Sequence, residues 1–289
     1  MITIEELNVY YKDFQALNIC EKIEIKENDR IGLIGSNGAG KTTFVKACLG
    51  LIPYNGLITT NVKPEEMSVH MQQNNYVDTM ATRHILETIL KTKIKENVKL
   101  QELISFFEFE KQLSQKYKTL SGGQKQRFTL IMVLMQDAPI TFFDEVTTGL
   151  DFETRQALIE KILAWYQGKN TSIIFISHYY EELEKLTNKL LILDKGEVIA
   201  FGERRQLFEK YCGQSVISFD QDALTKIDTK SFNHLKAQQG LCAISCKNLE
   251  EELSLIKMLS NANINYKRSN NDIELLTINA LGVYHETTH

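Results

Sequence analysis

Residues Gly35 to Thr43, GSNGAGKTT, set glycines, a lysine and two hydroxyls in the pattern G-x-x-x-x-G-K-[ST]. Those groups in that order suit one kind of chemistry, the holding of a phosphate chain. Glycines let the backbone turn its N–H groups onto phosphate oxygens, and the helix that follows adds positive potential at its N-terminus. Lys41 reaches the outer phosphates, and the Thr42 hydroxyl can ligate Mg²⁺. Gly35, Ser36, Asn37, Gly38, Ala39, Gly40 and Thr43 complete the expected phosphate-binding set. The loop sits where the mechanism needs it, after the strand-like run RIGLIG and before the helix-like TTFVKACLGL. Average residue usage would produce this pattern by chance on the order of once in a hundred chains of this length.

APITFFDE supplies a natural second half. It is an apolar strand ending in Asp144, which can hold Mg²⁺ through water, and Glu145, which can orient and polarise an attacking water. A third stretch, TLSGGQKQR, sets Ser121, Gly122, Gly123 and Gln124 before the apolar helix FTLIMVLM. This is a second helix start that favours an anion, far in sequence from the first.

The elements that must position these groups follow from hydrophobic spacing. MITIEELNVYY and KIEIKEN alternate as half-buried antiparallel strands do, whereas RIGLIG, ITFFDE, TSIIFISH and KLLILDKG are near-continuous apolar runs that read as buried parallel strands. Helix-like segments lie between them, FETRQALIEKILAWYQG ending on Gly168. A parallel sheet covered on both faces, with ligands bound beyond the carboxyl ends of its strands, is the expected architecture. Residues 73–118 show helical spacing without a strand and read as an inserted helical subdomain. Beyond Gly202 the sequence becomes richer in Asn and Gln, with SVISFD, LCAISC and LEEELSLIKMLSNANI predicting a small βαβ-type domain whose helix presents Leu249, Leu253, Ile256 and Leu259 on one face.

Composition excludes several classes. With 33 Lys+Arg against 37 Asp+Glu and a net charge of -4, the 289 residues carry no electrostatic footprint for nucleic acid. The longest apolar run is far below the roughly 20 residues that span a bilayer. The acidic MITIEEL is no secretory signal, so a cytoplasmic chain is expected. Cys20, Cys48, Cys212, Cys242 and Cys246 have no metal-ligand spacing and read as free buried thiols.

The phosphate loop, LSGGQ, FFDE, TTGLD and an apolar strand ending in histidine, in this order over residues 1–202, resemble the ATP-binding subunits of ABC transporters. The resemblance implies an α/β P-loop NTPase fold with an antiparallel β subdomain, the inserted helical subdomain, and a small α+β accessory domain at residues 203–289. It implies ATP and Mg²⁺ as ligands. It also gives the second helix start a purpose. In that family two such domains associate head to tail, and Ser121, Gly122 and Gly123 would meet the γ-phosphate of the partner's ATP, with Gln124 in the same motif. Tyr11 matches the aromatic that stacks on adenine, with Tyr10 as the competing candidate. Gln72, or Gln73 one residue on, matches the glutamine that links Mg²⁺ and the attacking water to the membrane partner. Asp151 matches the loop that crosses the dimer interface, and His178 the histidine that senses the γ-phosphate.

Two departures stand out. Val146 replaces the usual proline after Glu145 and should loosen that turn, while Asn28 and Asp29 replace a glycine-glutamate turn, which Asn tolerates because it accepts positive φ. The resemblance further implies ATP hydrolysis coupled to transport through a separate transmembrane permease, a second ATPase subunit (a homodimer on this reading), and a place on the inner face of the cell membrane through the permease. The short insertion and the C-terminal piece resemble exporters of the ABC-2 type for drugs, antibiotics or peptides. A mechanical clamp on ribosome or DNA is the alternative, opposed by the single cassette and the lack of sustained heptads. A small-molecule kinase is opposed by LSGGQ together with the post-strand histidine.

Overall fold

The protein is described by a computed structural model covering residues 1–71 and 76–288. Among the described residues, three sheets and the helices between them make the fold. In the first, β1 (Ile2–Tyr11) pairs antiparallel with β2 (Phe14–Ile19), β3 (Ile23–Ile25) and β5 (Asn55–Thr60). The inward set of β1 changes parity, from Ile2 and Ile4 to Leu7 and Val9. Glu6 absorbs the extra residue at φ 52°, and the β1–β5 register shifts there, a bulge.

The second sheet runs β10 (Glu197–Glu203), β9 (Lys189–Asp194), β4 (Arg30–Ile34), β8 (Ser172–Ile176), β7 (Ile140–Asp144), β6 (Met67–His70). All neighbours are parallel except β10, which turns back against β9. Every residue of β7 and β8 is buried, as strands covered on both faces require. One face, with α1 (Lys41–Cys48), packs on the first sheet around Phe44, Phe142 and Ile174. The other packs beneath α4 (Gly122–Leu134), α5 (Phe152–Trp165) and α6 (Tyr180–Leu186). Parallel strands leave the sheet at one edge, so the phosphate loop, Asp144 and the segment after Ile176 emerge side by side.

Residues 73–118 carry α2 (Thr82–Ile89) and α3 (Val98–Phe106), and their only strand-type pairing among the described residues is a single bridge between Ala81 and Lys116. Phe128 of α4 fixes them, its ring 5.2–5.8 Å from those of Tyr76, Phe109 and Tyr117. The Asn28 turn forms as expected, with φ 64°. Asp29 closes it by accepting from the Lys26 N–H at 2.7 Å and pairs with Lys189 at 2.9 Å.

After β10, α7 (Arg204–Cys212) leads to a third sheet in the order β12 (Asn233–Leu235), β13 (Leu241–Cys246), β11 (Ser215–Asp220), β14 (Tyr266–Ser269). The expected βαβ unit, β13 to β14 through α8 (Leu249–Asn261), is split, because β11 lies antiparallel between the two strands. The expected helix face also needs correction. Leu249 and Leu253 are 61% and 55% exposed, while Leu255 and Leu259 are buried. Glu252 turns the helix this way, since its carboxylate accepts from Ser215 and pairs with Arg268 at 3.0 and 3.2 Å. The final helix α9 (Ile273–Thr288) packs on α6, α7 and β10, putting Ile273, Leu276 and Ala280 into the same core as Leu183 and Leu190. Four thiols are buried and free as expected, but Cys20 is exposed, just beyond the end of β2.

Candidate nucleotide site

The phosphate loop is held by close backbone packing that only glycine permits. A Cβ on Gly40, at φ 100°, would lie 2.6 Å from the Leu17 side chain and 3.0 Å from the Ala16 carbonyl; on Gly35 it would lie 2.4 Å from the Leu193 carbonyl. The tip of the β9–β10 hairpin braces the loop from behind. Gly196 donates its N–H to Ala39 at 3.1 Å and accepts from Asn18 at 2.8 Å. Lys41 is buried and donates to the carbonyls of Gly35 and Ser36 at 2.7 and 3.1 Å, contacts that a phosphate would replace. Burial lowers its pKa, against the attraction of Glu145 and Asp144.

A cleft of about 460 Å³ opens over the loop, from Asn37 to Thr43, with Tyr11, Phe14, Ala16 and Glu145 on its walls. Tyr11 lines it and Tyr10 does not. Phe14, 66% exposed and paired with Tyr11 across the β1–β2 hairpin, is a second aromatic wall that sequence reasoning missed. Its one signal in the sequence was an aromatic three residues beyond Tyr11.

At the inner end, the Thr42 hydroxyl donates to Asp144 Oδ2 at 3.3 Å. Asp144 is 4% exposed. Burial raises its pKa, the Glu145 charge adds to the rise, and Thr42, Lys41 and His178 oppose it. No group of three or more His, Cys, Asp or Glu forms a metal cage among the described residues. A hydroxyl beside one carboxylate fits Mg²⁺, which takes few protein oxygens and keeps phosphate and water as its other ligands. Gln72 and Gln73 lie outside the described residues. β6 pairs His70 with Phe143, one residue before Asp144.

Glu145 sits at φ 52°, its N–H donating to the Ile176 carbonyl at 3.0 Å. That conformation directs Oε1 to His178 Nε2, 3.0 Å away, while Oε2 accepts from Thr148 at 3.1 Å. Val146 follows in the same turn. Its side chain is buried, and the Thr148 N–H closes the turn onto the Glu145 carbonyl at 3.1 Å.

Ser121, Gly122, Gly123, Gln124 and Asp151 do not line this cleft. They gather at the adjoining starts of α4 and α5. Ser121 and Gln124 form a reciprocal cap, Ser121 N–H to Gln124 Oε1 at 2.9 Å and Gln124 N–H to Ser121 Oγ at 3.3 Å. Asp151 caps α5, accepting from the Thr154 N–H and hydroxyl at 3.0 and 2.7 Å, bonds that lower its pKa. A Cβ on Gly123 would stand 3.1 Å from the Thr154 methyl, so the two helix starts are packed closely.

A family model described as ABC transporter matches residues 21–148. The Nod factor export ATP-binding protein I of a Rhizobium species is 31% identical over 67% of this chain and 68% of its own length. The methionine import ATP-binding protein MetN of Helicobacter pylori is 29% identical over 69% of this chain, which spans 66% of that relative's length. The molybdate/tungstate import ATP-binding protein WtpC of Methanocaldococcus jannaschii is 28% identical over 71% of each chain. Among solved structures, an ATP-binding subunit of an ABC transporter superposes with TM-score 0.64 at 21% identity, covering 73% of this chain and 93% of that one. A dimeric ATP-binding cassette bound to ADP and Pi superposes with TM-score 0.63 at 21% identity, covering 70% of this chain and 98% of that one. Likeness at that identity is one of fold. With the phosphate loop, the Thr42–Asp144 pair and the Glu145–His178 pair at one sheet edge, the sequence relatives complete the assignment: the chain belongs to the ATP-binding domains of ABC transporters, an ATPase family.

Proposed function

We propose that this chain binds ATP with Mg²⁺ in the cleft over the phosphate loop and hydrolyses it, driving transport through a separate membrane subunit. The observation that carries the reading is the contact of Glu145 and His178 at 3.0 Å, beside Thr42 and Asp144. Glu145 holds the attacking water by its carboxylate, and His178 keeps that carboxylate turned toward the phosphate end. Lys41 leaves the Gly35 and Ser36 carbonyls for phosphate oxygens. Mg²⁺, when bound, would be held by Thr42 and Asp144 and would neutralise phosphate charge. Positioning and charge stabilisation account for most of the rate in such a transfer. Tyr11 and Phe14 flank the base.

Ser121, Gly122 and Gly123 lie outside their own chain's cleft, which supports a head-to-tail pair in which they close over the ATP of a second ATPase subunit, here a copy of the same chain. Among the described residues no helix is long and apolar enough to cross a membrane; the permease we propose is a separate partner, and the site of action we propose is the inner membrane face. Export is the direction we propose. It is supported by the short helical insertion; relatives named for export and for import match at near-equal identity, 30–31% and 28–29%.

Glu145→Gln tests the chemistry. It should bind Mg-ATP normally and lower kcat by about 10²–10⁴; near-normal turnover would refute the role of Glu145. In light scattering the same variant should dimerise with ATP and Mg²⁺, and Ser121→Arg should prevent it.

A further inference from the structure

We propose that Glu182 is the positioning residue that sets the Glu145–His178 contact, by tying together the two loops that carry them. The inference rests on the hydrolytic reading above. Glu182 is 1% exposed, on α6. A single oxygen, Oε2, receives the hydroxyl of Thr147 at 2.9 Å and that of Ser177 at 2.7 Å. Thr147 lies two residues beyond Glu145, and Ser177 immediately precedes His178. Parallel β7 and β8 end side by side, their last ladder bond running from Glu145 N–H to the Ile176 carbonyl. Beyond that bond, Glu182 ties the two loops together through Thr147 and Ser177.

The clamp is itself fixed. Oε1 faces Arg155 Nε at 3.4 Å, neither atom having a hydrogen-bond partner of its own. The Arg155 guanidinium lies 3.7 Å over the Tyr179 ring and reaches Glu181 at 3.7 Å. A buried ion pair is poor as a source of stability, because desolvation offsets its attraction. What it gives here is geometry: one carboxylate accepts from two loops and faces a cation from the helix that Asp151 caps. Glu145 needs such support, since its left-handed backbone persists only where its surroundings over-determine it.

The test uses the purified full chain with Mg-ATP. Glu182→Gln keeps the side chain's shape and removes its charge. Expected is a kcat at least about tenfold lower with KM for ATP changed less than about twofold, since the phosphate loop is untouched. Made in the Glu145→Gln background, the same change should cost nothing further, because the contact it serves is already lost. Thr147→Val and Ser177→Ala provide milder variants should Glu182→Gln fold poorly. Each should lower kcat, and the pair should lose little more than either alone. An unchanged kcat in these variants, or an equal fold-loss in both Glu145 backgrounds, would overturn the inference. Wild-type activity that Glu145→Gln does not suppress would instead refute the hydrolytic reading itself.

Discussion

Asp144 is buried beside Glu145 and accepts from the Thr42 hydroxyl. Burial first, and the neighbouring Glu145 charge second, raise its pKa, so ionising it costs more than ionising an exposed aspartate. The sign follows from linkage: Mg²⁺ binding displaces a proton, and affinity falls as pH drops through the raised pKa. Titration calorimetry should therefore show Mg-dependent ATP binding weakening on acidification at a higher pH than an ordinary aspartate would give, with proton uptake by the buffer. Asp144→Asn should abolish the Mg²⁺ dependence while leaving the metal-free protein at least as stable, since it removes a buried charge. The two cleft aromatics make a separate prediction. Tyr11→Ala and Phe14→Ala should each weaken ATP binding by about 1–3 kcal/mol, the range of base-aromatic stacking, measurable by fluorescence titration. An effect confined to Tyr11 would exclude Phe14 from the base site. Much of the candidate site was legible because its residues are bound by covalent spacing: Lys41 and Thr42 follow their glycines, and Glu145 follows Asp144. Phe14, Thr147, Ser177 and Glu182 were not, because each matters only through a neighbour brought near by folding.

At the scale of elements, the parallel strands and their carboxyl-edge site were readable from apolar runs that mark burial on both faces. Strand β1 is half-buried and antiparallel, as its alternation predicted. The break in that alternation, Glu5-Glu6 in MITIEELNVYY, becomes a change of parity in the fold, the core taking Ile2, Ile4, Leu7 and Val9 through the bulge at Glu6. The residue that permits it is on another strand. Gly56 lies opposite at φ 111°, where a Cβ would be 1.9 Å from the Glu6 carbonyl oxygen. Gly56→Ala should therefore destabilise the protein by more than about 1 kcal/mol, through both clash and backbone strain, as read by urea unfolding, whereas Gly149→Ala would meet nothing within 4 Å and suffers only its φ of 79°. Helix α8 shows a limit of local pattern. Of the four apolar positions expected to share its inner face, Ile256 and Leu259 pack inward and Leu249 and Leu253 do not, while Glu252 turns in to meet Ser215 and Arg268.

At the scale of the molecule, the change of composition after Gly202 suggested a separable appendage, and the packing joins it to the rest. Helix α9 buries Ile273, Leu276 and Ala280 in the core that holds Leu183 and Leu190. Near its end, Tyr284 donates to Glu197 at 2.7 Å and His285 faces Asp194 at 3.3 Å. Both acceptors flank the hairpin whose Gly196 braces the phosphate loop at Ala39. Contact this continuous should make the chain unfold as one cooperative unit. Leu276→Ala, at a fully buried position, should cost about 2–5 kcal/mol and move the whole calorimetric transition down. If heating instead resolves two transitions, and Leu276→Ala lowers only the smaller, residues 203–289 fold apart from the cassette and the α9 contacts do not couple them. A single shifted transition would show that the nucleotide site and the C-terminal unit share one stability, with α9 as the element that joins them.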